Sequence, residues 1–231
     1  MSTTKSIRMR DPQASSAARK AWWSRYLASL KYAFRVIVHP FDGFWDLSHE
    51  QRGTVGAANT FLFLFLLTRV LKLLYTNFQF INSPTQYINV LEEALSLLIP
   101  FLILCIANWA MTTLFEGKGR FKDIYIAMCY ALVPYTLIQL PLVLVSRMIA
   151  FDEASFYNVL LVFSLIWCVL LVFVGLMQVH DYSPLKTFIF LIVTVVGAGV
   201  ILFLLLTFFS LLSDAIAYFI SIYREIVYRL Y

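Results

Sequence analysis

The sequence predicts an all-α polytopic membrane protein with five transmembrane helices and an amphipathic interfacial helix at each end. Three observations carry this. The chain of 231 residues is 61% hydrophobic and 13% charged, against about 45–50% and about 25% in soluble domains. Five apolar runs, near 57–78, 94–115, 124–148, 156–179 and 187–212, each reach the roughly 20 residues that cross a hydrocarbon core, and a span must be helical because lipid offers the backbone no partners. Basic residues also alternate between connections, so the net charge of +5 is an asymmetry across a membrane and not a nucleic-acid footprint.

Residues 1–56 form a basic N-terminal region. Its first 18 residues are polar and the first long apolar run begins near Ala57, which is not the pattern of a signal peptide. From Trp23, the residues Tyr26, Leu27, Leu30, Phe34 and Ile37 recur at helical spacing, with Arg25, Lys31 and Arg35 off that stripe. This predicts a helix on the cytoplasmic leaflet, its cations near anionic headgroups; a docking helix for another protein is the alternative. In HPFDGFWDLSHE, residues His39, Asp42, Asp46 and His49 are spaced roughly on one helical face, as metal ligands can be. Pro40 and Gly43 argue against a regular helix there, and Gly53 stands where a zincin would place its second histidine. A short interfacial segment, with Phe41, Phe44 and Trp45 among the headgroups, is the better account.

The first span, 57–78, is interrupted by Arg69 and Lys72, one turn apart. Ionisable residues at membrane depth are functional candidates; the competing account is that both snorkel to the outer headgroups or pair with Glu92, Glu93, Asp152 or Glu153. The connection 79–93 has no basic residue, whereas EGKGRFKD (116–123) carries Lys118, Arg120 and Lys122. That places the N-terminus and 116–123 in the cytoplasm and the C-terminus outside. The glycines of EGKGRFKD are two apart, and Lys118 is followed by Gly119, so neither a Walker loop nor a dinucleotide fingerprint is present. Gly117 and Gly119 are expected to take positive φ in a tight turn, and Asp123 to cap the third span.

In the third span Pro134 and Pro141 share nearly one face, and Pro100 lies in the second; each predicts a kink. Asn108, Gln139 and Gln178 are expected to hydrogen-bond between helices. Cys105, Cys129 and Cys168 lie inside apolar runs and read as small hydrophobes. Ser183-Pro184 suits the start of the fifth span. In 213–231 the residues Ile216, Phe219, Ile220, Tyr223, Ile226, Val227 and Leu230 form a stripe opposite Asp214, Ser221 and Glu225, an interfacial helix on the outer face. No Ser/His/Asp or Cys/His set is gathered on one side of the membrane; neither enzyme chemistry nor a cofactor is expected.

Several stretches together resemble the Yip (Ypt-interacting-protein) family of five-span membrane proteins. They are HPFDGFWDL (39–47) with EQRG, NWAMTTLFEGKGRFKDIYIAMCYALVPY (108–135) and GLMQVHDYSPLKT (175–187). The resemblance covers about residues 35–210 and is closest to the bacterial form. It implies a five-span domain at 57–212 with a cytoplasmic N-terminus. Eukaryotic relatives act in early secretory traffic and bind prenylated Rab-type GTPases; the short N-terminal region here lacks their long cytosolic segment, so that binding is not carried over. What it implies is a bacterial inner-membrane protein that assembles with itself or with other membrane proteins.

The first functional reading is therefore a non-enzymatic scaffold or accessory subunit whose cytoplasmic interaction face is built by Gly117, Gly119, Phe121, Tyr130, Pro134, His180, Tyr182 and Lys186. A small-solute or ion transporter using Arg69 and Lys72 is the second, and a lipid-organising or scrambling protein the third.

Overall fold

The computed structural model describes residues 12–75, 89–115, 117–145 and 154–230, and the described chain is helical throughout. Among the described residues eight helices follow one another: α1 (Pro12–Val38), α2 (Pro40–His49), α3 (Val55–Tyr75), α4 (Val90–Leu114), α5 (Phe121–Ala131), α6 (Val133–Val145), α7 (Ala154–His180) and α8 (Pro184–Leu230). Among the described residues five stretches are long and apolar enough to cross a membrane: Val55–Tyr75, Val90–Leu114, Phe121–Val145, Ser155–His180 and Pro184–Arg229. The third comprises α5 and α6.

That third span is the centre of the bundle. Its window is 61% buried, against 11% to 33% for the other four. It contacts α3, α4 and α7, while α8 packs along α4 at the edge. The division between α5 and α6 falls at Leu132. Pro134 has no N–H to offer the Tyr130 carbonyl, and the Leu132 N–H turns to the Cys129 and Tyr130 carbonyls instead. Pro100 and Pro141, expected to act likewise, sit inside unbroken helices.

The N-terminal helices are part of the core. Ser29, Ala33 and Val36 of α1 are buried, with Tyr26, Leu30 and Ile37 packed beside them. The Tyr130 hydroxyl donates to the Ser29 carbonyl (2.9 Å) and lies 2.6 Å from Ser29 Oγ. Ser29 Oγ also accepts the Thr54 N–H at 3.0 Å, so one serine links α1, the start of α3 and α5. The stripe expected on lipid is thus divided. Tyr26, Leu30 and Ile37 turn to the bundle, whereas Trp23, Leu27 and Phe34 are exposed beside Lys20, Lys31 and Arg35.

Residues 40–49 form a regular helix, contrary to expectation. Pro40 occupies its first turn, where its missing N–H is an orphan in any case. Gly43 lets α2 cross α1 at close range, since a Cβ there would lie 2.7 Å from Val36 Cα.

The fifth span and the C-terminal stripe are one helix, α8, without a break between 212 and 213. From Val200 to Leu230 the sequence holds no glycine or proline, so nothing ends the helix. Its 47 residues measure about 70 Å at 1.5 Å per residue, over twice a hydrocarbon core. Beyond Ile201 its described side chains are exposed. An interfacial helix folded flat against the outer leaflet would need a hinge that α8 lacks.

Two glycines give a matched test of the packing. Gly43→Ala, forced against the backbone of Val36, is expected to cost about 1–3 kcal/mol. Gly199→Ala, with nothing within 4 Å of its Cβ, is expected to be neutral or to stabilise by up to about 1 kcal/mol through helix propensity. Thermal unfolding in detergent micelles measures both.

Candidate functional site

The most densely connected polar region lies where the α4–α5 turn, the α7–α8 turn and the end of α2 meet. Thr194 of α8 gives its hydroxyl proton to the Phe190 carbonyl (2.7 Å), so its oxygen accepts the Asn108 side-chain N–H (3.1 Å). The Asn108 carbonyl oxygen therefore faces His180 Nε2, 3.1 Å away, and accepts a hydrogen bond from its N–H. His180 Nδ1 is left with its lone pair, which accepts the Gly119 N–H at 3.2 Å. The set fixes a neutral Nε2–H imidazole and joins α8, α4, α7 and the 117–120 turn. Thr194, Asn108 and His180 are all buried.

The two glycines of the turn are required by space. Among the described residues no glycine has positive φ, contrary to expectation. A Cβ on Gly117 would lie 2.7 Å from Thr112 Cβ and 2.8 Å from the Tyr182 hydroxyl, and one on Gly119 would lie 2.6 Å from His180 Cε1. At this junction the left-handed conformation falls on Asp181 (φ 54°), just past the end of α7, with the Tyr182 N–H returning to the Met177 carbonyl at 3.0 Å. This is a Schellman-type stop made without glycine.

Charge collects on Asp181. Lys118 Nζ is 3.2 Å from one of its oxygens and His49 Nε2 is 3.5 Å from the other, so the two turns and α2 share one carboxylate. Tyr182 stacks on His180 with ring centroids 5.3 Å apart, and the Lys186 ammonium lies 4.1 Å from the Tyr182 centroid, within cation–π range. Asp123 is in the first turn of α5, not its cap: Arg120 holds the N-cap position and pairs with Asp123 at 2.9 Å. That hydrogen bond raises the Arg120 pKa further. On the neighbouring α1–α2 surface, Tyr32 donates to Asp46. Burial first, then Asp46, pushes the Tyr32 hydroxyl up to about 12, so it remains a donor at neutral pH.

The predicted interaction residues separate into three groups. Phe121 and Lys186 are exposed, beside exposed Lys118 and Leu185. Gly117, Gly119, His180 and Tyr182 form the support beneath them. Tyr130 and Pro134 lie in the core, where Tyr130 anchors α1 and Pro134 divides the third span. Thr194 and His49 were not singled out for this region; a lone threonine in an apolar run carries no sequence signal. His39, Asp42, Asp46 and His49 do not converge. Asp46 serves Tyr32 and Arg52, and His49 serves Asp181. Among the described residues no group of three or more metal-ligating side chains is gathered.

At the opposite end of the bundle Arg69 pairs with Glu93 at 2.8 Å, one of the partners expected for it. Asp152 and Glu153 lie outside the described residues. Lys72 does not snorkel. Its Nζ reaches Gln139 Oε1 at 3.3 Å, and Gln139 Nε2 donates to Ser164 Oγ at 3.0 Å. Gln139 and Ser164 are fully buried, so a polar track leads from α3 through α6 to α7.

A model of the Yip1 domain matches residues 34–207, most of the chain. The chain belongs to the Yip1 domain family and is a multi-pass membrane protein; the family's members are generally non-enzymatic. No curated protein and no solved structure matches it.

His180→Ala would strand the buried Asn108 side-chain carbonyl, at a cost of about 1–3 kcal/mol, and would release the half-buried Gly119 N–H to water. Faster hydrogen exchange at the Gly119 amide, together with a lower melting temperature, is the expected result.

Proposed function

We propose that this Yip1 domain protein is a non-enzymatic scaffold or accessory subunit of a membrane assembly, and that it meets its partner through the junction of the α4–α5 and α7–α8 turns. One observation supports this above the others. The exposed groups Lys118, Phe121, Leu185 and Lys186 stand on a support that the Thr194–Asn108–His180–Gly119 chain of hydrogen bonds and the shared Asp181 carboxylate hold in place. A rigid support lowers the ordering cost of binding. Pairing an aromatic and an aliphatic group with two cations suits a partner with a small apolar patch and acidic surroundings.

On this reading the junction faces the cytoplasm, because Lys118, Arg120, Lys122 and Lys186 gather there, and the membrane is the inner membrane of a bacterium. Membrane traffic or organisation is the process the family suggests; Rab-type GTPase binding is not part of the proposal.

Photo-crosslinking residues placed at Lys118, Phe121 and Lys186 in native membranes are expected to capture a second copy of the chain or another membrane protein. The same residue at Leu137, on the lipid side of α6, is not. Recovery of the chain only as an uncrosslinked monomer would overturn the proposal.

A further inference from the structure

Among the described residues, the Lys72 end of the bundle holds a cation with no acidic partner. Arg69 has Glu93; Lys72 has only neutral partners among the described residues, the Gln139 amide oxygen and the face of Tyr157, whose centroid is 5.7 Å from Nζ. Lys72 is three residues from the last described residue of α3, about 4.5 Å along the helix axis, in the last turn of the span. An ammonium there with neutral partners is incompletely compensated.

Beside it is a cavity of about 410 Å³, lined by Thr68, Leu71 and Tyr75 of α3 and by Leu140, Val143 and Leu144 of α6. Its lining residues Thr68, Tyr75 and Val143 lie one turn from Lys72 and Gln139 on the same two helices, which sets the cavity and the Lys72–Gln139 hydrogen bond at the same level of the α3–α6 seam. Tyr75, Leu140 and Leu144 are exposed, which opens the cavity sideways to lipid. Thr136, one turn before Leu140 on the same stripe of α6, has a buried hydroxyl with no hydrogen-bond partner among the described residues.

The geometry points to a binding site for one anionic phospholipid, in the leaflet opposite the 117–120 turn, with its phosphate on Lys72 and an acyl chain along the α3–α6 cavity. Charge complementarity selects the anion. The walls select the lipid: a small hydrated anion would exchange its water for leucine and valine side chains, whereas an acyl chain loses nothing there. The lysine stem is long enough to trade the Gln139 oxygen for a phosphate oxygen, and a charge-assisted bond replaces one to a neutral amide. This site is separate from the junction and does not depend on it.

The test uses the full chain in nanodiscs, with native mass spectrometry after competition between phosphatidylglycerol and phosphatidylcholine. Retention of phosphatidylglycerol is expected to exceed that of phosphatidylcholine by about tenfold, because both offer a phosphate oxygen but only the first leaves a net negative charge to compensate the ammonium, the choline cation cancelling it in the second. Lys72→Met is expected to abolish the preference and Lys72→Arg to keep it. Leu140→Trp, which fills the cavity and leaves the charge, is expected to reduce retention of both lipids. Equal retention of the two lipids by the wild-type chain would overturn the proposal. An undiminished preference in folded, monodisperse Lys72→Met protein, or displacement of the lipid by inorganic phosphate, would also overturn it.

Discussion

Water is missing from the hydrocarbon core, so a polar side chain that folds into a membrane bundle must find its partner in the protein. Nearly every specific feature of this fold can be followed from that requirement. Thr194, Asn108 and His180 are polar groups on three spanning helices, and each is committed to the next. The last of them reaches out of the membrane to a backbone amide. Because each member has one arrangement that satisfies its neighbours, the set specifies which helix stands beside which, something apolar packing does poorly when lipid and leucine are equally apolar. Ser29 does the same for the N-terminal helix, accepting from the backbone of Thr54 while its carbonyl receives Tyr130.

That requirement also explains where the sequence was legible. The five spans follow from length and composition, since few other structures can hide a backbone in lipid, and the described helices fall within a few residues of the expected bounds, apart from the far end of the fifth. Asn108 and Gln139 were visible as interhelical polar groups because amides in apolar runs have few other uses. Their partners were not. Thr194 and Ser164 are single hydroxyls in long apolar stretches, and the pairing depends on helix rotation, which a nearly uniform hydrophobic run does not encode.

Other misreadings trace to context. The glycines of the 117–120 turn suggest backbone freedom, but what demands them is space: Thr112 and Tyr182 crowd Gly117 and His180 crowds Gly119, and Tyr182 and His180 lie more than sixty residues later in the chain. Pro134 divides its helix while Pro100 and Pro141 sit inside continuous ones; each removes one backbone hydrogen bond, and a kink does not require the helix to end. His39, Asp42, Asp46 and His49 share helical spacing without sharing a task. In the fold Asp46 turns back to α1 and His49 reaches the α7–α8 turn, so one short helix serves two neighbours.

The absence of a hinge in α8 has a mechanical consequence. The helix is held by α4 and α7 over its first half and projects beyond them over its second. It is therefore a stiff pointer with its bearing inside the bundle. For a rod of about 70 Å, each degree of tilt about Pro184 moves the far end by roughly 1.2 Å. Gly197, which lies against Met111 of α4 with a virtual Cβ only 2.9 Å from the Met111 methyl, sits within that bearing. Its fit against α4 sets the angle, so a displacement too small to disturb the core becomes several ångströms at the C-terminus.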